Sequence, residues 1–301
     1  MNGPTRPLRF GLVGTGHWAR VTHAPALASA EGIEFTAVWG RNPGSAAEVA
    51  AEHQATAYSD IGAFLDGVDA VAFAVPPDVQ AAIATRAATA GKHLLLEKPI
   101  ATSAAAADAL VRAVEDAGVA SVVFFTARFQ ADVRAWLADV TSRDRWTGGN
   151  AVWLGSALLA SNPFNTPWRR DKGGLWDVAP HAVSLLWACL GPVVSVTADA
   201  GLADVSHLVL HHRGGVTSTL TVTLSASQAA DGFDLYVWGE SGRSAAPKQS
   251  EPLGPLRVAL AELAGNARSG RVAHPCDVRF GQQVGNVLFE AQRQIDARPR
   301  P

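Results

Sequence analysis

Short apolar runs alternate with alanine-rich stretches through residues 1–125. Leu8 to Val13, Phe35 to Trp39, Ala70 to Val75, His93 to Leu96 and Val119 to Phe125 read as strands, each a brief apolar run bounded by polar or turn-forming residues. Ser45 to His53, Val79 to Ala90 and Thr102 to Ala117 are longer and rich in good helix formers, with Thr102 or Ser103 placed to cap the last of them. Strands separated by helices pair in parallel, so this part of the chain predicts an α/β domain built on a doubly wound sheet.

After Phe125 the pattern changes. A helix from Asp132 to Val140 precedes the stretch Asn150 to Ser156, and further strands are predicted near Val193 to Ala198, His207 to His211, Gly215 to Ser225 and Phe233 to Trp238. Thr217 to Leu224 alternates Thr or Ser with Leu and Val, the period of a half-buried antiparallel strand. Residues 126–301 therefore form a second, α+β domain with a large, mostly antiparallel open sheet. Ser241 to Pro255 is polar and rich in proline and glycine, which predicts an exposed loop.

Composition narrows the possibilities. The chain has 301 residues, 48% hydrophobic and 17% charged, with a formal net charge of -2. That length supports two cores, and the balanced charge offers no electrostatic footprint for nucleic acid or an anionic membrane. Cys189 and Cys276 lack metal-ligand or redox-motif spacing and read as reduced thiols. No apolar signal core precedes Leu8 and no apolar run reaches about 18 residues, so the expected setting is the cytoplasm.

Several segments carry chemistry. Gly14-Thr15-Gly16-His17-Trp18-Ala19 follows the first strand, where a side chain at Gly14 or Gly16 would obstruct a pyrophosphate approaching the backbone, and the following helix N-terminus offers amides to it. Ala19 stands in place of a third glycine. At the end of the second strand Gly40 occupies the position where an acidic residue would bind a ribose, and Arg41 and Asn42 follow. A cation there favours NADP over NAD, the plainer alternative being a solvated loop arginine. Val75-Pro76-Pro77 lies at the carboxyl edge of the sheet, where ligands of parallel sheets bind. Glu97-Lys98-Pro99 ends another strand at the same edge, placing an ammonium near a bound nicotinamide. Asp177 and His181 are four residues apart near the start of a helix that stops at Gly191-Pro192, so both fall on one helix face. The plainer alternative makes Asp177 a cap and His181 a partly buried histidine.

Taken in order, the segments GLVGTGHWA, AVWGRNP, AVPPDVQ, GKHLLLEKPIA, ARF, TPWRRDKGGLWDVAPH and GVTSTLTVTLS resemble the Gfo/Idh/MocA family of NAD(P)-dependent oxidoreductases nearly end to end. The resemblance implies a Rossmann domain over residues 1–125 and a substrate and oligomerisation domain over 126–301. It further implies that His181 is the acid/base at a substrate hydroxyl, that Lys98 orients that oxygen, and that Asp177 binds a neighbouring hydroxyl or tunes the lysine. Cofactor contacts would come from residues 14–19, Arg41, Asn42, Val75, Pro76, Pro77, Glu97 and Lys98, with Arg128, Trp168 and Arg169 as further candidates.

The chain departs from the family pattern at Gln80, where a histidine is common, at Ala179 in place of glycine, and at Ser184 in place of a second acidic residue. The implied substrate is a sugar, cyclitol or related small molecule, and the implied assembly a homodimer or homotetramer formed through the exposed face of the second sheet. A cofactor-retaining glycosidase or epimerase and a non-catalytic NAD(P)-binding regulator remain as alternatives. His207, His211, His212 and His274 have no ligand-like spacing, so no metal is assigned. Most of the nine tryptophans are expected in cores or interfaces.

Overall fold

The computed structural model describes residues 6–143, 145–248 and 250–297. The chain divides into two compact units: residues up to Phe124 with Glu251–Gln282, and Phe125–Ser250 with residues from Gln283 onward.

The first unit holds a six-stranded parallel sheet in the order β3-β2-β1-β4-β5-β6. Its strands are β1 (Leu8–Val13), β2 (Ile33–Trp39), β3 (Thr56–Tyr58), β4 (Ala70–Phe73), β5 (His93–Glu97) and β6 (Ser121–Phe124). A π-helical turn (Ala19–His23) runs into α1 (Ala24–Ser29), and α2 (Pro43–Glu52), α3 (Ile61–Asp66), α4 (Pro77–Thr89) and α5 (Ala104–Ala117) complete the crossovers. Every residue of β4 and β6 is buried, as a parallel sheet covered on both faces requires. Ser103 caps α5 by accepting from Ala106 N at 3.3 Å, and Gly118 ends that helix in the left-handed region at φ 62.

Neither β3 nor α3 was expected from the pattern, since β3 has only three residues, two of them exposed. The predicted strand Ala70 to Val75 stops at Phe73, and Ala74 N instead donates to Val13 O at 2.9 Å. Residues 251–282 also join this unit. Helix α9 (Leu253–Ser269) packs on α1, β5 and β6 with Leu256, Leu260 and Leu263 fully buried. Val123 N donates to Cys276 O at 2.7 Å and Val278 N to Ser121 Oγ at 3.1 Å, so this segment covers the edge strand β6.

In the second unit the sheet order is β12-β11-β7-β10-β9-β8, with β7 and β10 parallel and the other pairs antiparallel. The strands are β7 (Trp146–Leu154), β8 (Val193–Ala200), β9 (Ser206–His212), β10 (Thr217–Thr223), β11 (Gly232–Gly239) and β12 (Gly242–Ala245). The helices are α6 (Ala131–Ser142), α7 (Pro167–Asp177) and α8 (Ala179–Leu190), and residues 283–296 of α10 (Val278–Asp296) belong here as well.

Leu208, Leu210, Leu220, Val222, Leu235 and Val237 form the sheet's buried face, against which α8 lies over β7 and β10. Tyr236, Asn150, Thr219, Val209 and Thr197 line up in one cross-strand row on the other face. The segment predicted as a loop, Ser241 to Pro255, contains β12 and the first turn of α9, because Gly242 to Ala245 pairs with β11 despite its polar sequence. Burial pushes the Cys189 thiol up to about 12, and Cys276 is also buried. No described helix is long and apolar enough to cross a membrane.

Candidate active site

In the first unit the glycine turn follows β1 directly. Gly14 has φ 133, and a Cβ there would collide with the carbonyl of Ala74 at the end of β4, so only glycine fits the junction. Gly16 is exposed, and a Cβ built on it meets nothing within 4 Å, leaving its backbone open to a ligand. The helix after it starts at His17 and passes through the π-turn, a local widening often found at functional sites. These features fit a phosphate cradle at a helix N-terminus. Thr15 fills the space beside Gly40, where a Cβ would lie 2.7 Å from Thr15 Cγ2. An acidic side chain at that position is therefore excluded unless Thr15 moves. Asn42 caps α2 by accepting from Ser45 N at 3.1 Å, while Arg41 is exposed.

Arg20 was not singled out from the sequence. It donates to Thr15 O at 3.2 Å and pairs with Glu48 at 2.6 Å, fastening the glycine turn to α2.

Glu97 closes β5 and is 9% exposed. Trp18 Nε1 donates to its Oε1 at 2.7 Å, and His23 Nε2 lies 2.9 Å from the same oxygen. With Glu97 accepting, Nε2 carries the His23 hydrogen; the other ring nitrogen is buried without a hydrogen-bond partner. Lys98 follows, half-buried, and its bond to Pro99 is cis. The glycine-turn helix and the lysine turn are thus joined through one carboxylate. Val75 and Pro76 lead into α4, with Pro77 its first residue, and Gln80 on that helix is fully buried.

In the second unit α7 is bent at Gly173, whose φ is 62. A Cβ on Gly174 would lie 2.8 Å from the backbone of Thr223, so this glycine allows α7 to press against β10. Asp204 holds the bend: its carboxylate accepts from Gly174 N at 2.9 Å, Leu224 N at 2.7 Å and Thr223 Oγ1 at 2.6 Å. Burial alone would raise the Asp204 carboxyl, but hydrogen bonds from Ser225, Thr223, Leu224 and Gly174 outweigh it and hold the group below its ordinary value.

Asp177 ends α7 and His181 sits in the first turn of α8, instead of both following one helix start; the intervening Val178 keeps right-handed helical angles, so the turn continues through both. Both residues are buried. Arg169 reaches Asp177 as a fork, Nε to Oδ2 at 2.6 Å and Nη2 to Oδ1 at 3.3 Å, with its guanidinium beside the rings of Phe164 and Trp168. Arg169 Nε and Nη2 are therefore committed to Asp177, while Nη1 donates to Phe164 O at 3.3 Å. Trp168 Nε1 is buried without an acceptor. Arg128 donates to Ser184 O at 3.0 Å and braces α8 one turn beyond His181.

The His181 ring lies 5.5 Å from that of Trp153 at an interplanar angle of 31°, and Phe125 meets it edge-on at 6.5 Å. Phe233 in turn packs 4.6 Å from Trp153. Nothing local in the sequence marks Asp204 or Phe233, and Trp153 stands out there only as one of nine tryptophans. Among the described residues no group of three or more His, Cys, Asp or Glu is arranged to hold a metal.

A parallel sheet with a glycine-cradle helix, followed by an open mixed sheet carrying a buried Asp and His, defines a dinucleotide-binding oxidoreductase architecture. Two family models match: the oxidoreductase family with NAD-binding Rossmann fold over residues 8–125, and the GFO/IDH/MocA C-terminal domain over residues 149–244. The NADP(+)-dependent scyllo-inositol 2-dehydrogenase IolU of Bacillus subtilis is 34% identical over 255 residues, covering 78% of this chain and 74% of that one. A shorter match, 38% identical over 104 residues, covers 35% of this chain and 32% of UDP-N-acetylglucosamine 3-dehydrogenase from Acidithiobacillus ferrooxidans. Among solved structures, the WlbA dehydrogenase from Bordetella pertussis, in complex with NADH and UDP-GlcNAcA, shares the fold at a TM-score of 0.82 and 24% identity over 98% of this chain and 99% of that one. The chain belongs to the Gfo/Idh/MocA family of oxidoreductases.

Replacing Asp204 with Ala leaves two buried backbone amides without an acceptor and is expected to lower unfolding free energy by roughly 2–3 kcal/mol in urea titrations. Because the folded carboxyl is depressed, its contribution is present above the unfolded value near pH 4 and is lost as pH falls through the lower folded value. The gap between wild type and Asp204→Ala should accordingly narrow below about pH 4; a gap independent of pH would contradict this role.

Proposed function

We propose that the protein is an NAD(P)-dependent dehydrogenase or reductase acting on a hydroxyl or keto carbon of a sugar, cyclitol or related small molecule. The observation that carries this reading is the Trp18–Glu97 bond, which ties the lysine turn to the phosphate-cradle helix within one unit. When bound, the dinucleotide supplies the hydride acceptor or donor. Residues 14–19 would hold its pyrophosphate, Val75 to Pro77 and the lysine turn would line it, and Trp168 Nε1 is a donor left for a bound acceptor.

Lys98 orients the reacting oxygen and stabilises charge developing on it. His181 takes the hydroxyl proton during oxidation and returns it during reduction, its ring kept in place by Trp153 and Phe125. Asp177, fixed by Arg169, faces a neighbouring substrate hydroxyl as an acceptor. The substrate class follows the named activities of the inositol and UDP-sugar dehydrogenase relatives. A cytoplasmic setting fits this reading, where dinucleotide is supplied and a buried thiol such as Cys189 stays reduced.

Lys98→Ala and His181→Ala should each lower kcat/KM in a sugar and polyol screen by roughly 10²–10⁴-fold while the dinucleotide still binds. Wild-type protein that binds dinucleotide yet converts none of it would return the cofactor-retaining and regulatory alternatives. For the cofactor, Thr15 against Gly40 leaves no room for a ribose-binding acid unless Thr15 moves, and Arg41 is exposed at the end of β2, supporting NADP. In a nicotinamide fluorescence titration, NADPH should bind more tightly than NADH, and Arg41→Ala should weaken NADPH by roughly tenfold with NADH unchanged. Equal affinities in the wild type would reverse that preference.

The outer face of the second sheet presents Tyr236, Val209 and Trp238, the last 39% exposed, among threonines, and supports self-association as a homodimer or homotetramer. Light scattering should give a multiple of the chain mass that Trp238→Asp reduces. Monomer alone in the wild type would refute it.

A further inference from the structure

The end of β5 poses a backbone problem. β4 pairs with β5 only as far as Ala72 with Leu95, whereas β6 continues to Phe124 opposite Glu97. On the β4 side Glu97 therefore has no strand neighbour for its N–H and C=O, although the residue is buried. Gln80, 0% exposed on the second turn of α4, fills that place. Its Oε1 accepts from Glu97 N at 2.8 Å, and its Nε2 donates to Glu97 O at 2.8 Å. The same Nε2 lies 3.3 Å from Pro99 O and 3.4 Å from Ile100 O. One amide thus reproduces the two bonds of a missing strand and reaches across Lys98 to the residues beyond it. The partners also fix which way the amide points, since only Nε2 can face three carbonyls and only Oε1 an N–H.

We propose that Gln80 is a positioning residue: it clamps the backbone on both sides of Lys98 and so sets where the lysine ammonium stands. Glu97 is held from the other direction through its carboxylate by Trp18 and His23, so the residue before Lys98 is fixed at both main chain and side chain. Gln80 spans the turn, with bonds at Glu97, Pro99 and Ile100. Sequence position marks it as a departure from the family pattern; the geometry gives that departure a task. Leucine at this position keeps the volume and loses every bond. Glutamate keeps an acceptor for Glu97 N–H but turns a carboxylate oxygen toward three carbonyl oxygens.

This inference rests on Lys98 acting at the reacting oxygen, and its test includes measurements that need no turnover. Hydrogen exchange at the Glu97 amide and acylation of Lys98 by acetic anhydride, both followed by mass spectrometry, are compared in wild type, Gln80→Leu and Gln80→Glu. Both variants should exchange Glu97 faster and alter the Lys98 acylation rate at least threefold, while the exposed Lys248 reacts as before. In turnover, kcat should fall by roughly 10–100-fold with the NAD(P)H dissociation constant changed less than threefold, since a displacement near 1 Å at a reacting group costs about that much.

Unchanged exchange and acylation in folded Gln80→Glu would overturn the clamp. So would kcat and dinucleotide affinity falling together in proportion, which would mark Gln80 as a support of the whole unit. If Gln80→Leu does not fold, Gln80→Glu decides alone. An inactive wild type whose Lys98 acylation still responds to Gln80 would keep the clamp and overturn the reading of the site.

Discussion

A strand that outruns its neighbour leaves main-chain donors and acceptors without partners, and each such group buried unmatched costs roughly 1–3 kcal/mol. Parallel sheets meet this constraint at their carboxyl edges, which is also where they bind ligands. This chain answers it with side-chain amides. Gln80 stands in for a strand beside Glu97, and Gln294 does the same at the free edge of β8, accepting from Ala198 N at 2.9 Å and donating to Val196 O at 2.8 Å. At the edge of β8 the amide protects a sheet margin from unwanted pairing. At β5 it allows the strand to extend past its neighbour and carry Lys98 to the ligand edge.

The second unit meets a related constraint by bending a helix. Asp177 and His181 can occupy buried positions on consecutive turns only because α7 breaks at Gly173 and Gly174 admits the backbone of Thr223. The amide released by the bend would be unsatisfied without Asp204, which collects it together with Leu224 N and Thr223 Oγ1. Two carboxylates thus divide the work. Asp204 is saturated by neutral donors and fixes the main chain, whereas Asp177 is neutralised by a guanidinium. Removing one member of such a buried pair leaves an uncompensated charge, so Arg169 and Asp177 act as a unit.

The candidate site residues stand out in the sequence because each sits in a local pattern: Gly14 and Gly16 after an apolar strand, Lys98 after another, Asp177 and His181 at helical spacing. The alternating Thr and Leu of β10 likewise announced a strand with one wet face, and the structure buries Leu220 and Val222 while exposing Thr217 and Thr219. Elements that failed to register lack such a pattern. β3 and β12 are short and polar and exist because a neighbour offers an edge. The return of α9 to the first unit is a packing event between residues more than a hundred positions apart. Arg169 looked like a cofactor contact by its neighbourhood, and only the fold turns it onto Asp177, eight positions away.

Supports of the site were hidden for the same reason. Glu97 is held by residues 17, 74 and 79 positions away in the chain. Gly174 is held by a residue 30 positions on. A reacting group must match a ligand, so its residue type and strand-end placement announce it in sequence; a supporting group must match only the main chain, which is the same everywhere. Any residue with a donor and an acceptor at suitable reach can do that work, as the Gln80 amide does beside Glu97. Sequence motifs consequently identify the reaction class better than they identify what keeps the reacting groups in place.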